Sequence, residues 1–164
     1  MTSATLDIDP KALRDCCGRF ATGVTVVTTR TPEGDHGMTI SAFMSVSLEP
    51  PLVCISVGRR ARMLPKLRAS GRYAVNILTE DMRAHALHFA GRPDASLSDL
   101  FEDRHSLPVL RGAAAVLVTE VTETVEAGDH VLLIGEVRHL EHEPVARPLL
   151  HHAGQFGGIS GHAA

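Results

Sequence analysis

Val24 to Arg30 reads VTVVTTR, a β-branched run that predicts a strand. Thr31-Pro32-Glu33-Gly34 follows as a turn, because proline presets φ and glycine accepts a left-handed geometry. The stretch Gly37 to Pro51, GMTISAFMSVSLEPP, then reads as the returning arm of a hairpin. It sets Thr39, Ser41, Ser45 and Ser47 among Met38, Ile40, Ala42, Phe43, Met44 and Val46, and it stops at Pro50-Pro51. Leu52 to Val57, LVCISV, is too uniformly apolar for an exposed strand. Tyr73, Val75 and Ile77 alternate with Ala74, Asn76 and Leu78, a strand in which Asn76 is the odd polar group. From Ala113, AAAVLVTEVTETVEA turns at Ala127-Gly128-Asp129 and returns as HVLLIGEVRHLEHE, which predicts two long strands in a hairpin.

Helical spacing is confined to shorter segments. Asp9-Pro10 opens a helix with Leu13, Cys16, Cys17 and Phe20 on one face and Gly23 as its stop. A short basic helix spans Ala61 to Ala69 and ends at Ser70-Gly71. Thr79-Glu80-Asp81 begins a third, with Met82, Ala86, Leu87 and Phe89 leading to Gly91. Arg92 to Pro108 has no clear period and reads as loop with a helical turn near Leu97 to Phe101, and the tail LLHHAGQFGG after Pro148 reads as irregular. The sum is a mainly β fold of about six hairpin-paired strands with peripheral helices, a closed or nearly closed antiparallel barrel that removes exposed edges and leaves pockets at its mouths or at subunit seams. The βαβ alternation of a doubly wound sheet is missing.

Composition narrows the partners. The 164 residues suit one domain, and 44% are apolar. A net charge of −3 with scattered basic residues argues against nucleic acid. No apolar run approaches the ~20 residues of a membrane span, and MTSATLDIDP has neither a basic leader nor an apolar core, so a cytoplasmic location is expected. Cys16, Cys17 and Cys54 suit neither a disulfide framework nor a CxxC pair and are expected as thiols.

The candidate chemistry is sparse. The small polar residues of Gly37 to Pro51 let a flat ring approach the backbone and hydrogen-bond at its edge, although the same spacing also describes a half-buried strand with one polar face. Gly58-Arg59-Arg60-Ala61-Arg62 joins a strand to a helix and suits an anion, or is simply a solvated basic turn. Gly128-Asp129-His130 places an imidazole at a hairpin turn, where it could donate to a carboxamide or phosphate, or the turn could be only a cap. A Rossmann fingerprint is absent: Gly157-Gly158-Ile159-Ser160-Gly161 has no helix after it. There is no GxSxG elbow. His85 and His88 share a helical face without a third ligand, and His139 and His142 lie an odd step apart, so no metal site is expected.

Taken in order, FATGVTVVTT (Phe20 to Thr29), GMTISAFMSVSLEPPLVCISV (Gly37 to Val57), SGRYAVNIL (Ser70 to Leu78), HFAGR (His88 to Arg92) and GDHVLLIGEV (Gly128 to Val137) resemble the flavin reductase family, the reductase components of two-component flavin-dependent monooxygenases. The resemblance implies one domain over 1–164, with a core of about 13–156 and flexible ends at 1–8 and 157–164. It implies a homodimer of antiparallel split β-barrels that reduces FMN or FAD with NADH or NADPH and passes reduced flavin to a separate monooxygenase. By the same resemblance Thr39, Ser41, Ala42, Met44 and Ser47 lie along the flavin ring and ribityl chain, while Ser56, Gly58, Arg59 and Arg62 receive its phosphate. Phe89 borders the flavin, His130 lies near the nicotinamide nucleotide, and Phe156 closes over the site. The chain departs from the family pattern at Gly58-Arg59-Arg60, where Ser or Thr is frequent, and at Met44, where many members carry Thr. Hydride transfer to flavin needs no acid or base from the protein, so the lack of a triad or metal set is compatible with the activity. Two alternatives stand beside this reading: a flavin-binding electron carrier or flavin-dependent oxidase of the same fold without free-flavin reductase activity, and a structural barrel that binds no cofactor.

Overall fold

The computed structural model describes residues 8–160. Asp9 accepts from the amides of Lys11 and Ala12 at 3.2 and 3.1 Å and so caps α1 (Pro10–Cys17). The helix stops short of Gly23, because Gly18 turns the chain and its carbonyl accepts the Ala153 amide at 2.9 Å. Phe20 therefore lies off the helix and is 79% exposed.

The elements that follow are β1 (Thr22–Gly23), β2 (Thr25–Thr31), β3 (Gly34–Ile40), β4 (Phe43–Leu48), β5 (Pro51–Gly58), α2 (Met63–Ser70), β6 (Arg72–Ile77) and α3 (Arg83–Phe89). Beyond them come β7 (Phe101–Arg104), β8 (Leu107–Leu110), β9 (Ala115–Ala127), β10 (His130–His142), β11 (Leu150–His152) and β12 (Gln155–Gly157). Three expectations need correction. The stretch from Gly37 is two strands, interrupted at Ser41-Ala42. The helical turn near Leu97 does not form: Asp94 takes the Ser96 amide at 2.9 Å, and Phe101 enters the β7–β8 hairpin, whose turn residues His105 and Ser106 adopt φ of 51° and 66°. The tail is ordered as β11 and β12, which pair with β1 in a three-stranded sheet. In addition, α3 starts at Arg83 rather than near Thr79, because Thr79 is held in a bridge to Pro148 and its hydroxyl donates to the Asp81 carboxylate.

Seven strands form one antiparallel sheet in the order β3-β2-β6-β9-β10-β5-β4. Its two edge strands are consecutive in the chain and joined only by Ser41-Ala42, so the sheet must curl until its edges approach at that corner. Among the described residues no ladder joins β3 to β4. The concave interior is filled by Val27, Ile55, Val57, Tyr73, Val75, Val131 and Leu133, packed round Met63, Leu64 and Leu67 of α2. Each such fully buried aliphatic side chain contributes about 1.5–3 kcal/mol. Gly71, at φ 64°, ends α2 as expected.

The convex face is covered as well, so β2 and β6 are buried on both faces over most of their length. Val24, Val26, Leu78, Met82 and Ala86 form a second cluster under α3, and Val116 and Val118 pack against Leu107 and Val109 of β8. Asn76, fully buried, stitches that hairpin down: its amide nitrogen donates to Val26 O at 2.8 Å and its carbonyl oxygen accepts from the Leu110 amide at 2.7 Å. No helix among the described residues is long and apolar enough to cross a membrane. Of the two ends, 1–7 and 161–164 lie outside the described residues, while Gly157 belongs to β12 and Ile159 O accepts from Arg147 at 2.8 Å.

Candidate functional site

The corner at Ser41-Ala42 is where half of the sequence-predicted residues meet. Ala42 O accepts the Ser56 amide at 3.1 Å, which carries β4 onto β5 in the register Phe43↔Ile55 and Met44↔Cys54. Two residues beyond Ser56 along β5, Gly58 lies opposite His130 of β10. Phe43 turns inward onto the interior cluster, whereas Ser41, Ala42 and Met44 are exposed and Ser47 and Ser56 are half-buried. The pattern of small polar and exposed apolar positions therefore runs down one accessible edge.

The basic turn closes one end of this edge. Arg59 N donates to Asp129 O at 2.9 Å, which ties the turn after β5 to the β9–β10 turn. Its guanidinium pairs with Glu126 at 2.8 Å, and Glu126 also takes Arg68 at 2.5 Å. Arg59 is thereby partly neutralised. Arg62 is exposed at the start of α2 and pairs with no carboxylate among the described residues, so its guanidinium is better disposed than that of Arg59 to meet a phosphate. His130 Nδ1 lies 2.8 Å from Asp129 Oδ1, and that contact holds the Asp129 carboxyl below its ordinary range. The other ring nitrogen of His130 lies over Gly58, 3.8 Å from where a Cβ would stand.

The remaining predicted residues lie on the convex side. The Thr39 hydroxyl donates to Ala86 O of α3 at 2.6 Å, so its proton is already committed within the protein. Phe89 sits directly over Gly37, where an added Cβ would come within 2.7 Å of its ring, and packs against Phe101 with ring centroids 5.8 Å apart. Phe156 joins the same cluster, with the Arg83 guanidinium 5.8 Å from its ring centroid. The structure thus brings Ser41, Ala42, Ser56, Gly58, Arg59 and His130 together, and sets Thr39, Phe89 and Phe156 on the far side of β3. A cavity of about 240 Å³ lies between Glu102, Arg104 and Glu141, away from every predicted residue, and another of about 280 Å³ includes Phe156 alone of them. The Ser41-Ala42 edge is an open surface on the single chain.

A family model described as the flavin reductase like domain matches residues 17–160. The chain belongs to this flavin reductase family. An NADH-dependent flavin reductase from Rhodococcus sp is 41% identical, covering 97% of this chain and 94% of the relative. The reductase component of 4-hydroxyphenylacetate 3-monooxygenase from Thermus thermophilus is 41% identical over 86% of this chain and 91% of its own. Among solved structures, the flavin reductase PheA2 superposes with a TM-score of 0.90 at 42% identity, covering 94% of this chain and 100% of the other. Hydride transfer to a flavin asks the protein to bind and orient its two nucleotides rather than to supply an acid, a base or a metal. Arg83 and Glu126 carry no local mark in the sequence, because what distinguishes each is a partner distant in the chain.

Proposed function

We propose that this member of the flavin reductase family oxidises NADH and reduces FMN or FAD, and that it hands the reduced flavin to a separate monooxygenase. The observation that carries the reading is the accessible corner where Ala42, Ser56, Gly58 and His130 converge beside Arg62, in a chain similar over nearly its whole length to a reductase named for NADH and flavin. The donor set suits a flavin: hydroxyls and peptide groups for the ring edge, a guanidinium for the phosphate, and Met44 for apolar contact. Thr39 serves this cradle by fixing α3 against β3, since its hydroxyl is bonded to Ala86 O. A bound flavin would supply the hydride acceptor. The chain's own residues bind and orient: Arg62 anchors the phosphate with Ser56 and Gly58 beside it, Ser41 and Ala42 meet the ring and ribityl chain, and His130 positions the nicotinamide nucleotide.

The sheet's curvature at Ser41-Ala42 supports a split barrel, and two exposed features support a homodimer. Helix α1 buries none of its residues, and edge strand β4 exposes Met44 and Leu48 at 57% and 94%. A second copy laid on this side would wall the open corner. Steady-state oxidation of NADH and of NADPH with FMN and with FAD tests the function. Acceleration of NADH oxidation by catalytic protein is expected, with a raised KM for NADH in His130→Ala; no acceleration with any pair refutes the proposal.

A further inference from the structure

Two contacts fix the direction of α3 over β3. Ala86 O meets Thr39 and Phe89 covers Gly37, so moving up β3 toward Ser41 means moving back along α3, and the next turn back is Arg83. The Arg83 end of the helix therefore faces the Ser41-Ala42 corner. At that end lies the cavity of about 280 Å³ lined by Glu80, Arg83, Leu149, Phe156, Gly157 and Gly158. Its acidic member is already occupied: Glu80 pairs with Arg147 at 3.2 Å, and its second oxygen is pressed to Gly158, where a Cβ would come within 2.8 Å. Arg147 in turn donates to Ile159 O, so the tail strand is clamped in place as one wall. Gly157 leaves that wall without a side chain, with open space where its Cβ would be.

Arg83 is exposed, and the contact the structure gives its guanidinium is the face of Phe156, at 5.8 Å. A planar cation on an aromatic plate, beside bare backbone and with the nearby carboxylate neutralised, is suited to an oxyanion held bidentately. We infer that Arg83 on Phe156 receives the diphosphate of a dinucleotide whose ring lies at the Ser41-Ala42 corner. The inference rests on the flavin reductase reading, which supplies two such dinucleotides, the nicotinamide cosubstrate and FAD. Arg62, on the opposite side of the corner, is left to the flavin's own phosphate.

The test compares wild type, Arg83→Ala and Arg83→Lys by binding and by turnover. FMN and FAD are titrated through the quenching of flavin fluorescence, and NAD⁺ by calorimetry on FMN-loaded protein. If the site takes the cosubstrate, Arg83→Ala weakens NAD⁺ and raises the KM for NADH about tenfold or more, FMN and FAD affinities stay put, and Arg83→Lys recovers part of the loss. The KM for 1-benzyl-1,4-dihydronicotinamide, which has no diphosphate, does not follow. If the site takes FAD, its affinity falls by a similar factor while FMN and NAD⁺ are unchanged. Unchanged NAD⁺ and FAD affinities in Arg83→Ala overturn the inference, as does an equal loss with the benzyl compound. A wild type that binds these dinucleotides yet oxidises no NADH refutes the flavin reductase reading and leaves the binding arms to judge Arg83.

Discussion

The two edge strands β3 and β4 carry similar mixtures of small polar and apolar residues and have opposite surroundings. On β3, Gly37 lies under the Phe89 ring and Thr39 is bonded to Ala86 O, so this half is clamped beneath α3. On β4, two residues later in the chain, Ser45 and Val46 are exposed and Leu48 is 94% exposed. Alternation alone did not separate them. What separates them is a helix more than forty residues downstream, which one strand meets and the other does not. The difference gives the halves different work: β3 is the rigid support, and β4 with the Ser41-Ala42 corner is the surface left for a ligand or a second chain.

Breaking the clamp has the largest expected effect on stability. Gly37→Ala drives a Cβ into the Phe89 ring, and overpacking of this kind costs about 1–3 kcal/mol, or about 2–4 °C in Tm per kcal/mol. Thermal unfolding followed by circular dichroism measures it, and an unchanged Tm would mean that Phe89 moves aside freely. Thr39→Val removes one hydrogen bond from the same clamp, and a loss of about 0.5–1.5 kcal/mol in urea unfolding is expected.

Acid should loosen the β3 side selectively. His85 on α3 is held below its ordinary pKa of 6.5, chiefly by burial, with His88 adding to the depression and Asp81 opposing it, and its Nδ1 is buried without a partner. The folded state therefore binds fewer protons than the unfolded one below pH 6.5, so this contribution is intact above that pH and is lost as pH falls. The urea midpoint should drop on acidification from neutral pH, and less so in His85→Gln; identical profiles would remove His85 from the account. Smallest of all, Leu48→Ser on the open strand should change the stability of the single chain by no more than about 0.5 kcal/mol. It should instead shift self-association, read by analytical ultracentrifugation. A large drop in stability of a monomer would show that β4 is not the free edge described.

The same contrast explains what could be read in advance. The β2–β3 and β9–β10 hairpins were legible because turn residues Pro32, Gly34 and Gly128 stand between strands long enough to show a period. The β7–β8 hairpin was not, since its strands have four residues each and it turns on His105 and Ser106, which announce no left-handed turn. The tail sheet, with three-residue strands and Ala153 at positive φ, hid in the same way. At the site, Gly58, Ser56 and His130 could be gathered from motif order. The commitment of Thr39 to Ala86 and of Arg59 to Glu126 rests on partners distant in the chain and left no local mark.

The central claim is that the open corner between β3 and β4, and not the clamped strand, holds the flavin, with its phosphate on Arg62. Titration of FMN by fluorescence quenching on wild type and Arg62→Ala tests it most directly. Loss of one charge-assisted contact, about 1.5–3 kcal/mol, predicts a Kd raised about tenfold or more. A Kd equal to that of the wild type would contradict the account and move the phosphate elsewhere.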